Sequence, residues 1–244
     1  MTVFEPDPSL KWLFCMTHPD DEISICGWMS RVAAVNPERV WVSWTHRNPV
    51  REVEARSVAN QLGLREDHLF FHEGIDGEVC TQMGDLKTSF AEMMQIVQPD
   101  RVVCGAFEQG HLDHDATNFL VNGTFHGVVC EVPFYHTYRT KLPRVNRFAD
   151  ASNEEVIDLT SQERELKRTI AHAYPSQAIW KNMVFAEIRA RLTGDGSLLA
   201  TEHMRIQTHK DFRIPNLPEP LAAKVERTWR WKKWRASLDA LTSD

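Results

Sequence analysis

The chain has 244 residues, with 28 basic and 34 acidic side chains for a formal net charge of -6, and 42% of it is apolar and 25% charged. That is ordinary globular usage. It argues against a general nucleic-acid binder, which needs a basic face for phosphates, and no run of about 18 apolar residues offers a bilayer span. The five cysteines, Cys15, Cys26, Cys80, Cys104 and Cys130, are odd in number and lack C-x-x-C spacing, which argues against a disulfide framework.

In chain order, residues 12–16 form a continuous apolar run of the kind a parallel strand covered on both faces requires, and residues 23–34 follow as a helix. Residues 40–44 repeat the strand signal. Residues 51–64 carry Val53, Val58 and Leu62 at near-helical spacing before Gly63, a helix stop. A short strand is predicted over 68–72, a helix over 86–97 stopped by Pro99, and a strand over 101–104. Residues 113–126 read as helix and 128–135 as strand. Beyond Asn146 the pattern turns helical, over 162–173 and 178–192, around a break at Pro175-Ser176-Gln177.

Strands alternating with helices predict an α/β fold, a Rossmann-like, mostly parallel sheet flanked by helices, with a helical C-terminal region. Ligands of such sheets bind beyond the carboxyl ends of the strands. Residues 1–214 are expected to form one domain. Residues 215–244 are expected to be a Pro-rich linker and a basic, Trp-rich helical tail, with Leu221, Val225 and Trp229 on one docking face. Binding of that tail to a membrane interface or nucleic acid is the competing expectation. No basic stretch followed by an apolar one precedes the first strand, so a cytoplasmic location is expected.

Two clusters carry chemistry, and each follows a strand-like run: His18-Pro19-Asp20-Asp21-Glu22 and Gly110-His111-Leu112-Asp113-His114-Asp115. Three acids in a row by themselves suit an acidic first helical turn. A His-Pro pair at a strand end in front of them, and a second cluster rich in histidine, point instead to a metal. His18 and Asp21 can aim an imidazole nitrogen and a carboxylate oxygen at one point, and Asp20 between them can take a proton from an activated water as general base. His111 and His114 share a face if helical, so one or both can reach the ion, while Asp113 can hold an imidazole through its other nitrogen. His18, Asp21 and His114 make three protein ligands, the number typical of a catalytic zinc with a position open to water.

The two clusters together resemble the LmbE-like, or PIG-L, superfamily of zinc-dependent N-acetylglucosaminyl deacetylases. Weaker echoes are Arg51-Glu52-Val53-Glu54 with Leu62-Gly63, Asp76-Gly77, and Lys167 and Ala171 leading to Ser176-Gln177. The resemblance implies a hydrolase that holds one zinc ion per chain through His18, Asp21 and His114. It also implies Asp20 as general base, His111, if protonated, as oxyanion stabiliser, and Asp113 orienting His111 or His114. Arg51, Asp76 and Arg139 are implied as substrate contacts.

The expected substrate is a small amino-sugar glycoside, with no nucleic acid, no membrane span and a homo-oligomer open. A metal-dependent phosphohydrolase, or another amidase acting on a small polar metabolite, is the alternative enzyme. A catalytically silent sugar-binding subunit is the non-enzymatic one. The sequence departs from the family pattern at Thr45-His46-Arg47-Asn48-Pro49, a loop expected to border the pocket.

Overall fold

The computed structural model describes residues 2–136, 144–193 and 197–241. In chain order the elements begin β1 (Trp12–Met16), α1 (Cys26–Val35), β2 (Val40–His46), α2 (Pro49–Gln61) and β3 (Leu69–Gly74). They continue with α3 (Met83–Val97), β4 (Arg101–Gly105), α4 (Leu112–Thr124) and β5 (Val128–Val132), then the short strands β6 (Tyr135–His136) and β7 (Arg144–Val145). The last are β8 (Glu155–Asp158), α5 (Ser161–His172), α6 (Ile179–Thr193), β9 (Thr201–Ile206), α7 (Leu221–Glu226) and α8 (Trp229–Leu241).

A seven-stranded sheet runs in the order β3-β2-β1-β4-β5-β9-β8. The first five strands pair in parallel, as the apolar runs predict, and β5-β9 and β9-β8 pair antiparallel. The chain moves outward from β1 to β3 and then returns to lay β4 on the other side of β1. That reversal is a topological switch point, and a crevice opens beyond the carboxyl ends of β1 and β4.

Period-two alternation along β1 divides the interior into two cores. Trp12, Phe14 and Met16 pack with Trp28 and Met29 of α1, Val58 of α2 and Ile170 of α5. Leu13 and Cys15 pack with Phe90 and Met93 of α3, Leu120 of α4 and Trp234 of α8. All five residues of β1 are buried, so this strand is clamped from both faces and its carboxyl end is a fixed platform.

The antiparallel strands β9 and β8 at one end of the sheet depart from the helical expectation after Asn146. Three of the four buried residues of β9 are polar, Glu202, His203 and Arg205, with Met204 as the apolar one. Each of the three has a charged partner. Glu202 Oε1 accepts from Lys167 Nζ at 2.8 Å, His203 Nδ1 lies 3.2 Å from Glu154, and Arg205 Nε donates to Glu131 at 2.9 Å. Hydrophobic periodicity cannot report a strand whose buried positions are mostly polar.

Smaller differences have local causes. Asn48 caps α2 by accepting from Val50 and Arg51 amides, with Pro49 at the first helical position, so this helix begins earlier than expected. The strand expected over 128–135 ends at Val132, and Tyr135–His136 pairs with Arg144–Val145 in a separate ribbon. The expected helix over 23–34 opens as a tight 3-10 turn, Asp21–Ser24, before α1.

The tail packs on the body, but by another face. The helix breaks between α7 and α8, which resets its phase, so Val225 is buried while Trp229 is 67% exposed. Trp231, Trp234 and Leu238 take the inner positions. Trp234 lies against Phe107 and Phe119, with ring centroids 5.5 and 6.0 Å away, and its Nε1 donates to the Phe212 carbonyl at 2.9 Å. Among the described residues no helix is long and apolar enough to cross a membrane.

Lys167 and Glu202 form a fully buried ion pair that also caps a helix. The two Glu202 oxygens accept from the Gly27 and Trp28 amides at 2.8 and 2.7 Å, satisfying two orphan donors at the start of α1. Removing the lysine leaves a carboxylate buried with too little compensation. Lys167→Met is therefore expected to cost about 3 to 5 kcal/mol of unfolding free energy, and Lys167→Met with Glu202→Gln distinctly less. Denaturant titration checks this, and an unchanged midpoint for Lys167→Met would contradict it.

His72, on β3, is a buried neutral histidine. Its Nδ1 lies 2.9 Å from Ser89 Oγ, whose hydroxyl donates to the Leu86 carbonyl, so the ring proton sits on Nδ1. Nε2 is buried with no hydrogen-bond partner. Burial pulls the pKa down from 6.5 to about 4, so on acidification the unfolded chain takes the proton first. The resulting stability is present above pH 6.5 and lost as pH falls towards 4. His72→Gln is expected to remove about 3 kcal/mol of that acid dependence. Parallel stability-pH curves for the two proteins would contradict the assignment.

Candidate active site at the switch point

The first cluster leaves β1 and turns at once. Thr17 is buried, its carbonyl accepts the His46 amide at 2.8 Å, and its hydroxyl bonds Thr117 at 2.9 Å, as does Thr45. Three threonines thus tie β1, β2 and α4 together beneath the site. Asp20 then adopts φ 125°, ψ -19°, a conformation that L side chains rarely occupy. Its position is enforced by neighbours, as strain at functional sites usually is.

One of those neighbours is Glu22. It is fully buried, takes hydrogen bonds from the Tyr174 hydroxyl, from Trp44 Nε1 at 3.2 Å and from the Asp20 amide at 3.1 Å, and so pins the loop from below. Arg51, near the start of α2, pins it from the side. Its Nη2 donates to the Pro19 carbonyl at 2.7 Å and lies 3.0 Å from Asp20 Oδ1, while Nη1 reaches Asp76 Oδ2 at 3.3 Å. The helix that supplies Arg51 also supplies Glu54, which accepts from the Ser176 amide and hydroxyl at 3.1 and 2.5 Å. Two of the weaker sequence echoes therefore meet in space.

Asp21 faces the second cluster. Its Oδ1 lies 3.4 Å from His114 Nε2, and its Oδ2 lies 3.6 Å from His18 Nδ1 and accepts the His18 amide at 2.7 Å. The His18 and His114 rings are 5.3 Å apart between centroids. His18, Asp21 and His114 each offer a donor atom within 4.8 Å of the others. Ligands about 2.1 Å from one tetrahedral ion stand about 3.4 Å from each other, so separations of 3.4 and 3.6 Å fit a divalent cation.

Two further observations agree with a cation. Four carboxylates, Asp20, Asp21, Asp76 and Asp113, surround a region where, among the described residues, Arg51 is the guanidinium that faces them. Asp113 Oδ1 is also buried with no hydrogen-bond partner.

Asp113 does not hold His111 or His114 through its carboxylate. Its Oδ2 accepts from the Gly77 amide at 2.6 Å and lies 3.4 Å from His18 Nε2, so it orients the first-cluster histidine. Asp76 Oδ1 stands 3.3 Å from the same nitrogen. A ring with one nitrogen on the donor set and the other on a carboxylate is the usual arrangement of a histidine at a metal. Arg139 lies outside the described residues.

Burial pulls His18 down, but hydrogen bonds to Asp113, Asp21 and Asp76 outweigh it and raise its pKa well above the ordinary value. Burial, then the negative charge of Asp21, pushes the Asp20 carboxyl well above the usual range, towards the pH where a general base works best. Burial would raise Asp21 too, but the opposing His114 and His18 hold it well below.

His111 does not meet the condition attached to its expected role, that the ring be protonated. Burial, then the nearby His114, lowers its pKa to about 4. It caps α4, its Nδ1 accepting the Asp113 amide at 3.2 Å, which places the ring proton of the neutral imidazole on Nε2. A neutral Nε2–H is still a hydrogen-bond donor.

These groups form one pole of a cavity of about 390 Å³ whose other wall includes Phe134, Ile179, Met183 and Leu198. The motifs gave no signal for that wall. On the polar side His46 stands with its ring centroid 5.8 Å from that of His18 and its Nδ1 donates to the Gly74 carbonyl at 3.0 Å, while Arg47 is tied to Glu52 and Glu73.

Residues 13–124, from β1 to the end of α4, match the PIG-L family, described as GlcNAc-PI de-N-acetylase. That segment, somewhat under half of the chain, contains both clusters and is similar to a family of hydrolytic enzymes. No curated protein matches at the level of sequence.

Solved structures match in fold. The zinc-inhibited form of teicoplanin deacetylase Orf2 is 14% identical with a TM-score of 0.60, over 82% of this chain and 100% of that one. The N,N'-diacetylchitobiose deacetylase of Pyrococcus horikoshii is 17% identical with a TM-score of 0.54, over 83% and 85%. GalB of Pseudomonas putida KT2440, a 4-carboxy-2-hydroxymuconate hydratase, is 12% identical with a TM-score of 0.51, over 83% and 98%. At these identities the likeness establishes the chain's fold and leaves its reaction to the residues of the site.

Proposed function

We propose that this protein is a zinc-dependent de-N-acetylase that hydrolyses the acetamide of an N-acetylglucosamine-type glycoside or a related amino sugar. The observation that carries this reading is the convergence of His18, Asp21 and His114 donor atoms within 4.8 Å, beside Asp20 and in the wall of one cavity. Two imidazoles and a carboxylate suit zinc, and three protein ligands leave a position for water. A cation bound there would polarise the amide carbonyl and bring the pKa of a water to about 7.

The chain's own groups divide the remaining work. Asp20, held by Arg51 and pushed up by burial, takes the proton of the attacking water and returns it to the departing amine nitrogen. His111, neutral at Nδ1, donates Nε2–H to the oxygen on which charge develops. Asp113 and Asp76 fix the plane of His18, and Arg51 and Asp76 border the cavity where sugar hydroxyls would lie. Residues 1–214 would carry the whole reaction, with 215–244 as a packed extension.

A two-metal phosphohydrolase holds its ions roughly 3.5 to 4 Å apart. A second donor set exists, His18, His111 and Asp113, but it shares His18 with the first. The two sets therefore favour one ion per chain.

Asp20→Asn is expected to keep its metal and to lose acetate release from N-acetylglucosaminides by a hundredfold or more, on the order expected for a general base. Elemental analysis should give one metal per chain for both proteins. Wild-type activity in metal-loaded Asp20→Asn would refute the base assignment, and two metals per chain would favour phosphoryl chemistry.

A further inference from the structure

The cavity has two unlike poles, and the deacetylase reading uses only one. Opposite Asp20 and His111, α6 presents Ile179, Asn182, Met183 and Ala186 at i, i+3, i+4 and i+7, so one stripe of the helix lines the cavity. Leu198, from the segment before β9, and Phe134, after β5, complete this wall, and both are buried. A bare N-acetylated sugar presents hydroxyls on nearly every carbon, and hydroxyls seated on methyl, thioether and phenyl groups lose hydrogen bonds to water without replacement. An apolar group gains there. The volume of about 390 Å³ lies in the range of sites that enclose a drug-sized ligand.

Resting on the deacetylase reading, we propose that the substrate carries an apolar substituent of several carbons, alkyl or aryl. It seats on Ile179, Met183, Ala186 and Leu198 while the scissile amide lies at Asp20 and His111. The substituent could be the aglycone or the acyl group itself, and substrates separate the two.

The test uses metal-loaded full-length protein and three compounds: methyl N-acetylglucosaminide, hexyl N-acetylglucosaminide and the methyl glycoside of N-hexanoylglucosamine. For one of the two hexyl-bearing compounds kcat/KM is expected to exceed the methyl acetyl parent by about tenfold or more, the scale on which apolar pockets discriminate. Preference for the hexyl glycoside assigns the wall to the aglycone, and preference for the hexanoyl amide assigns it to the acyl chain. Met183→Asn and, at a less buried position, Ile179→Gln should each bring the ratio towards one, with thermal unfolding confirming that the variants fold.

Calorimetric binding to Asp20→Asn supplies a readout without turnover, and the same preference is expected in dissociation constants. Turnover of the parent with equal kcat/KM and equal binding for all three compounds would overturn the proposal and leave the deacetylase reading standing. Tighter binding of a hexyl-bearing compound without turnover of any would overturn the deacetylase reading while supporting the apolar wall.

Discussion

Three carboxylates converge on one imidazole. Asp21 faces His18 Nδ1 at 3.6 Å, and Asp76 and Asp113 face Nε2 at 3.3 and 3.4 Å. The acids come from three loops, after β1, after β3 and at the start of α4. Their mutual repulsion in a largely buried space is offset by His18, His114 and Arg51, and it would be offset much further by a divalent cation. Without that charge balance the loops have no electrostatic reason to meet.

The sheet makes the meeting possible. Apolar residues on both faces of β1 fix its end between two cores, and the strand reversal brings the end of β4, and with it His111 to His114, alongside. Polar contacts then set the details: Glu22 and Arg51 hold Asp20 in a strained conformation, and Gly77 holds Asp113. Strain is retained where surrounding bonds over-determine the backbone, and here those bonds come from α2, β2 and the segment after α5.

Much of this was legible in the residues alone because it depends on local order. Parallel strands buried on both faces must be apolar throughout, so β1, β2 and β4 stand out, and a cluster that follows a strand must lie at its carboxyl end. What was not legible depends on pairing across the chain. β9 hides its strand character because Glu202 and Arg205 look like surface residues until Lys167 and Glu131 are seen opposite them. The partner of the Asp113 carboxylate is His18, 95 residues away, whereas spacing suggested the adjacent histidines. The tail's inner face was missed because a helix break shifts the phase between Val225 and Trp231. The apolar wall on α6 gave no sign either, since that helix carries apolar residues on its exposed side as well.

The most direct test of the central claim is anomalous diffraction at the zinc edge from crystals of the zinc-loaded protein. One peak per chain is expected, within about 2.3 Å of donor atoms from His18, Asp21 and His114. A peak coordinated by His111 and Asp113 without His114, or no peak between the two clusters, would contradict it.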